Sequence, residues 1–179
     1  MFRYIVIEGP IGVGKTSLTR LLAKEFSARL VLEKPEENPF LSDFYQDRKK
    51  YAFQTQIYFL LNRFQQHKEI AQLNLFNQVT LCDYLFAKDR IFASLNLDDH
   101  ELALYEQIFK LLSGQIPSPD LVIFLPAKPE VLLHRIKSRN ISYEKEIDFV
   151  NRREDLDQLI REIKQMKKGT WYFIPKRSK

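Results

Sequence analysis

The residues with the clearest chemical content stand near the N terminus, where the chain reads Gly9, Pro10, Ile11, Gly12, Val13, Gly14, Lys15, Thr16 and Ser17. Gly9, Gly14, Lys15 and Thr16 satisfy G-x-x-x-x-G-K-[ST] without a gap. Glycines at such places let backbone N–H groups turn inward around phosphate oxygens. The Lys15 ammonium reaches β- and γ-phosphates, and the Thr16 hydroxyl is a ligand for Mg²⁺. An apolar run over 4–8 precedes the loop, and a helix opening at Ser17 adds its positive end. These nine residues are the expected nucleoside triphosphate site.

Such a loop serves switches, motors and kinases alike, so other residues must decide. A guanine-reading N-K-x-D element is absent. Residues 112–115, Leu-Ser-Gly-Gln, are only a fragment of the L-S-G-G-Q of transport ATPases, and the apolar run after them ends in proline rather than an acidic pair. They read as a helix end and turn. A small-molecule kinase needs a base for the acceptor hydroxyl, an acceptor pocket and cations for the migrating phosphoryl group. Glu33 and Asp83 each end an expected strand, where the carboxyl ends of a parallel sheet face the ligand crevice. Arg135 and Arg139, four apart on an expected helix, point to one side. Taken singly, strand-end acids also cap helices, and arginine pairs also line solvated faces.

The elements that must hold these groups alternate. Strands are expected over 4–8, 29–33, 79–83 and 119–126, and helices over 17–26, about 51–75, 99–112, 129–139 and 153–168. That alternation predicts an α/β fold with a parallel sheet covered on both faces. No repeat or linker divides the chain, so residues 1–179 are expected to form a single domain.

Composition agrees: 45% apolar and 28% charged residues suit a globular domain. The net charge of +5 is local. Residues 164–179 hold six cations and no acid, leaving 22 basic against 23 acidic elsewhere, so this reads as a solvated basic tail and no nucleic-acid partner is expected. Cys82, the one cysteine, excludes a disulfide framework and a cysteine zinc site, and is expected to be buried. With neither a leader-like start nor a membrane-length apolar run, the expected setting is the cytoplasm.

Several stretches, in order and spacing, resemble the deoxynucleoside kinases, in particular the bacterial deoxyguanosine/deoxyadenosine kinase branch. They are IVIEGPIGVGKTSL, EKPEENPFL, FYQDRKKYAFQTQIYFLLNRF, CDYLFAKDRIFAS and LLHRIKSR. The resemblance runs over about residues 3–147 and implies the three-layer P-loop kinase fold. It also implies Mg²⁺-dependent transfer of the γ-phosphate of ATP to the 5′-hydroxyl of a purine deoxynucleoside, in nucleotide salvage, by a homodimer joined through its long helices. Glu33 then corresponds to the general base, Tyr45 to the tyrosine on the sugar 3′-hydroxyl, and Gln56 to the base-reading glutamine. Arg63 and Asp89 correspond to a charged pair at the base edge, and Phe92 to the ring stacking on the base. Asp83 assists the metal beside Thr16. Arg135 and Arg139 correspond to the arginines of a lid, about 135–147, that closes over the phosphates.

Two departures qualify the resemblance. Asp83-Tyr84-Leu85 stands where many members have Glu/Asp-Arg-Ser, so the arginine that helps hold the base carboxylate is absent. After Ile147 roughly thirty residues of the family's pattern, including a fifth strand, find no counterpart, and no crossover of a dozen residues fits there. Either the sheet shows four core strands with the fifth missing, or a stretch of the native protein is absent from this sequence, the alternative favoured here; a real deletion predicts weak substrate binding or none. Two rivals stand beside the leading reading: a thymidylate-type nucleoside monophosphate kinase, and a non-catalytic nucleotide-binding protein.

Overall fold

A computed structural model of the chain describes residues 2–73, 79–139 and 170–173. The expected helix over 153–168 and the lid beyond residue 139 lie outside the described residues. The chain gathers into two compact units: Met1–Leu32, Asn77–Leu85 and Ser118–Lys179 form one, Glu33–Phe76 and Phe86–Pro117 the other.

The first unit is built on a parallel sheet of β1 (Tyr4–Glu8), β2 (Arg29–Val31), β3 (Thr80–Cys82), β4 (Leu121–Phe124) and β5 (Thr170–Phe173), in the order β2-β3-β1-β4-β5. Short apolar runs make buried parallel strands because both faces are covered. Val6, Ile7, Leu81, Cys82 and Val122 are all buried. Helix α1 (Lys15–Glu25) returns the chain from β1 to β2, and Ile7, Ala23 and Leu81 centre the core it helps to form. The α6 helix (Pro129–Arg139) follows β4 over the residues expected.

Two expectations about the sheet need correction. Strand β2 stops at Val31 instead of reaching Glu33, because its partner β3 ends opposite, at Cys82. The fifth strand is not missing. Thr170–Phe173, read from sequence as part of a basic tail, pairs in parallel with β4 from Leu121↔Thr170 to Phe124↔Phe173. Between Phe124, the end of β4, and Thr170 the chain has 45 residues, far more than the dozen a parallel connection requires. Its four residues, Thr-Trp-Tyr-Phe, are β-branched and aromatic, the types that favour strands.

The second unit is helical. A 3₁₀ turn (Pro35–Glu37) and α2 (Leu41–Gln46) lead into the long α3 (Arg48–Leu73), followed by α4 (Lys88–Asn96) and α5 (Asp99–Ser113). Ala52, Gln56, Leu60, Arg63, His67 and Ile70 recur at spacings of three and four, so they share one face of α3. Leu60, Phe86, Ala93 and Tyr105 form the core on which this unit closes. Asp98 starts α5 with a capping box, accepting from the amides of His100 and Glu101 while Glu101 reaches back to the Asp98 amide. Helices α2 and α4 are not anticipated by periodicity: the first has six residues, and the second turns Asp89 inward, breaking the apolar stripe.

Candidate active site

In the first unit the glycine-rich loop joins β1 to α1. Gly9 has φ 152°, and a Cβ there would lie 2.6 Å from the Leu125 carbonyl oxygen, so the loop passes β4 closer than any side chain permits. Gly14, at φ 101°, caps α1 in the left-handed region. The Lys15 ammonium donates to the carbonyls of Gly9 (2.9 Å) and Pro10 (3.3 Å). The Thr16 hydroxyl donates to Asp83 Oδ2 at 2.6 Å, so the hydroxyl and carboxylate expected to hold the metal lie together. Asp83 is buried one residue beyond the end of β3. Two hard oxygen donors fit Mg²⁺, which keeps waters and phosphate oxygens and does not need an all-protein cage. Arg135 reaches from α6 to the Val13 carbonyl at 2.8 Å. Arg139 lies on the same helix, and its side chain is outside the described residues.

Sequence reasoning missed Glu8 here. The carboxylate is fully buried and accepts from the Gly9 amide (2.6 Å) and the Leu85 amide (3.0 Å). It thereby ties the start of the loop to the turn that carries Asp83. The signal was present, since Glu8 is a strand-end acid like Glu33 and Asp83.

In the second unit most of the other expected residues form one connected set. Arg63 makes ion pairs with both Glu33 and Asp89. Gln56 Nε2 donates to the Asp89 carbonyl (2.9 Å) and to its Oδ1 (3.2 Å). Gln56 is 5% exposed and Asp89 1%, so neither stands on a solvated face. The Phe59 ring lies 4.7 Å beneath the Arg63 guanidinium. Among these contacts, Arg63 grips the Glu33 carboxylate. Tyr45, half-buried on α2, meets the Phe44 ring edge-on at 5.5 Å, and Phe92 on α4 lies 5.6 Å from the Lys88 ammonium.

Two further buried residues belong to this unit. The Tyr105 hydroxyl donates to Asp89 Oδ2 at 2.8 Å from a fully buried position on α5. Desolvation raises the pKa of its phenol. His67 is buried beside the Phe86 ring, and desolvation lowers its pKa to about 4, leaving it neutral. Nothing in the sequence singled out Tyr105, which reads as one more aromatic on an apolar helix.

Among the described residues no helix is long and apolar enough to cross a membrane. The arrangement offers a phosphate-binding loop with an oxygen pair for a cation in one unit. The other offers a carboxylate held by arginine, with an amide and a second carboxylate on the same arginine. Those are the parts required for moving a phosphoryl group to a hydroxyl on a hydrogen-bonding acceptor.

Comparison with known proteins agrees with that chemistry. The family model described as deoxynucleoside kinase matches residues 5–167. A deoxyguanosine kinase of Bacillus subtilis is 36% identical over 171 residues, covering 93% of this chain and 81% of the relative. A deoxyadenosine kinase of Dictyostelium discoideum is 41% identical over 149 residues, covering 82% of this chain and 60% of the relative. A deoxyadenosine kinase from M. mycoides, solved with dCMP and a flexible dCDP as products, superposes with a TM-score of 0.83 at 24% identity, over 96% of this chain and 90% of that one. That likeness shows the fold, a P-loop α/β architecture with a parallel sheet flanked by helices. The family match favours neither the monophosphate-kinase rival nor the non-catalytic one. By the extent of the family match and by its curated relatives, the chain belongs to the deoxynucleoside kinase family.

Proposed function

We propose that the protein phosphorylates the 5′-hydroxyl of a purine deoxynucleoside, deoxyguanosine or deoxyadenosine, with ATP and Mg²⁺, as a step of nucleotide salvage. The observation that carries this reading is the single arginine, Arg63, shared by Glu33 and Asp89, with Gln56 on the same aspartate. A base for a hydroxyl and a hydrogen-bonding edge for a nucleobase thereby belong to one network. Relatives named for deoxyguanosine and for deoxyadenosine support the purine assignment.

In this reading residues 1–179 act as one kinase domain. The amides of Gly9 to Ser17 and the Lys15 ammonium bind the triphosphate, and Thr16 with Asp83 holds Mg²⁺, which neutralises phosphate charge when bound. Glu33 accepts the 5′-hydroxyl proton as its oxygen bonds to the γ-phosphorus and ADP departs. Tyr45 binds the 3′-hydroxyl, Phe92 stacks on the base, and Gln56, Arg63 and Asp89 read its edge. Arg135 and Arg139 stabilise charge on the migrating group and exclude water. The protein works in the cytoplasm as a homodimer formed through its long helices.

The test is phosphorylation of the four deoxynucleosides with Mg·ATP, comparing the native protein with Glu33→Gln. Purine turnover that falls at least about a hundredfold in the variant is expected. Native-like turnover by Glu33→Gln refutes the base assignment, and no turnover of any deoxynucleoside by the native protein refutes the function.

A further inference from the structure

We propose that Glu8 is a positioning residue for the metal: its buried carboxylate holds the start of the phosphate loop and the turn after β3 to one point, so that Thr16 and Asp83 present their oxygens to Mg²⁺ as a pair. The inference rests on the Mg·ATP site of the function proposed above.

The two oxygens come from separate elements. Thr16 stands in the first turn of α1, and Asp83 lies one residue beyond β3. Mg²⁺ demands near-ideal octahedral geometry at about 2.0–2.1 Å, so two protein oxygens serve it only when their separation is fixed. Here it is fixed, with the Thr16 hydroxyl 2.6 Å from Asp83 Oδ2. The ladder between β1 and β3 stops short of this point. Its register runs from Tyr4↔Thr80 to Val6↔Cys82, one residue before Asp83 and two before Glu8. The Asp83 amide itself reaches only the Val31 carbonyl, at 3.3 Å, on the side of β2. Between β1 and the turn after β3 the Glu8 side chain takes over: Oε1 accepts from the Gly9 amide at 2.6 Å and Oε2 from the Leu85 amide at 3.0 Å.

A carboxylate suits this place because it accepts at both oxygens, and the two groups it joins are both donors. Glu8, Gly9 and Leu85 are all buried, so an amide that loses its acceptor here has no water to replace it. The anchor is rigid: Glu8 pairs with Phe124, and its carbonyl accepts from the Leu125 amide at 2.8 Å. From this carboxylate one route leads to each metal ligand. The Gly9 amide is bound to it, and the Gly9 carbonyl receives the ammonium of Lys15, the neighbour of Thr16. The Leu85 amide is bound to it two residues past Asp83. Release of either amide frees one member of the oxygen pair to move relative to the other.

Glu8→Gln keeps the size and shape of the side chain but leaves it one acceptor oxygen. Its amide nitrogen then meets a backbone N–H, donor against donor, and one of the two ties breaks. The experiment titrates a fluorescent ATP analogue into the native protein and the variant, each with Mg²⁺ and with EDTA. The native protein is expected to bind the analogue roughly tenfold more tightly with Mg²⁺, and Glu8→Gln to keep less than about threefold of that preference, its affinity in EDTA staying within about threefold of native. In turnover the variant requires more Mg²⁺ for half-maximal rate, while the deoxynucleoside KM stays within about twofold. A merely structural role lowers affinity alike with and without the metal, so an unchanged ratio overturns the inference, as does a native protein indifferent to Mg²⁺. If Glu8→Gln does not fold, Glu8→Asp replaces it: one methylene shorter, that carboxylate reaches only one of the two amides, and the same loss of preference is required. Because binding is read without transfer, a native protein that prefers the Mg²⁺ complex of the analogue yet phosphorylates no deoxynucleoside overturns the proposed function alone.

Discussion

His67 ties the stability of the helical unit to pH in a way that one substitution isolates. Its ring lies on the buried face of α3, 5.4 Å from the Phe86 ring at 63°, with Nδ1 2.8 Å from the Arg63 carbonyl oxygen. Desolvation lowers its pKa from 6.5 to about 4; the hydrogen bond to the Arg63 backbone opposes this, and the Arg63 charge adds to it. Above pH 6.5 the imidazole is neutral in folded and unfolded chains alike, and this group contributes no pH dependence. As the pH falls from 6.5 to about 4, only the unfolded chain gains the proton. Stability then declines by about 1.4 kcal/mol per unit, or about 3 kcal/mol over the whole window, and below it the loss is complete. His67→Gln does not titrate and retains an N–H that reaches a carbonyl one turn back. Urea unfolding between about pH 7 and about pH 4.5 should show the native protein losing about 2–3 kcal/mol more than the variant. Parallel losses in the two proteins would refute the argument, because every other titrating group is common to both.

Two further perturbations probe the two units separately. Arg63→Met leaves the Asp89 carboxylate buried with only Gln56 and Tyr105 as partners. Breaking such a pair costs about 3–5 kcal/mol, so thermal unfolding should begin roughly 6–20 °C lower, with part of the loss recovered when Asp89→Asn is added. A Tm within about 2 °C of native contradicts this. Gly9→Ala sets a Cβ against the Leu125 carbonyl at 2.6 Å and at a φ of 152°. Affinity for a fluorescent ATP analogue should fall at least about tenfold while the circular dichroism stays native, since the cost falls on the loop. Unchanged affinity would mean that the loop tolerates displacement from β4.

How far the sequence foretold this molecule depended on what each feature required of its neighbours. The phosphate loop was legible because its chemistry is local: glycines, a lysine and a hydroxyl at fixed spacing between a strand and a helix. Strand β1 and helix α6 were legible because their apolar patterns are uninterrupted. Glu33 was marked by its expected strand-end place, and Gln56, Arg63 and Asp89 by family resemblance, yet spacing alone could not show that one guanidinium holds both carboxylates. That contact depends on α3, α4 and the turn after β2 arriving together. Tyr105 was invisible because its contact with Asp89 is made by a single oxygen on an otherwise apolar helix face. Strand β5 was misread because its pairing partner is distant in sequence, and because cations on both sides of Thr-Trp-Tyr-Phe gave the stretch the look of a tail. Glu8 was overlooked although its position matched the acids that were noticed.

The late position of β5 in the chain bears on how the protein is made. Phe124 closes β4, and forty-odd residues must be synthesised before Thr170–Phe173 can pair with it. At about 5–20 residues per second the nascent Leu-Val-Ile-Phe edge waits several seconds, unpaired and apolar, while the helical unit, whose residues end at Pro117, has already left the ribosome. An open edge of that composition is a template for a second chain. Order of synthesis therefore makes the sheet, rather than the helices, the part most in need of a chaperone.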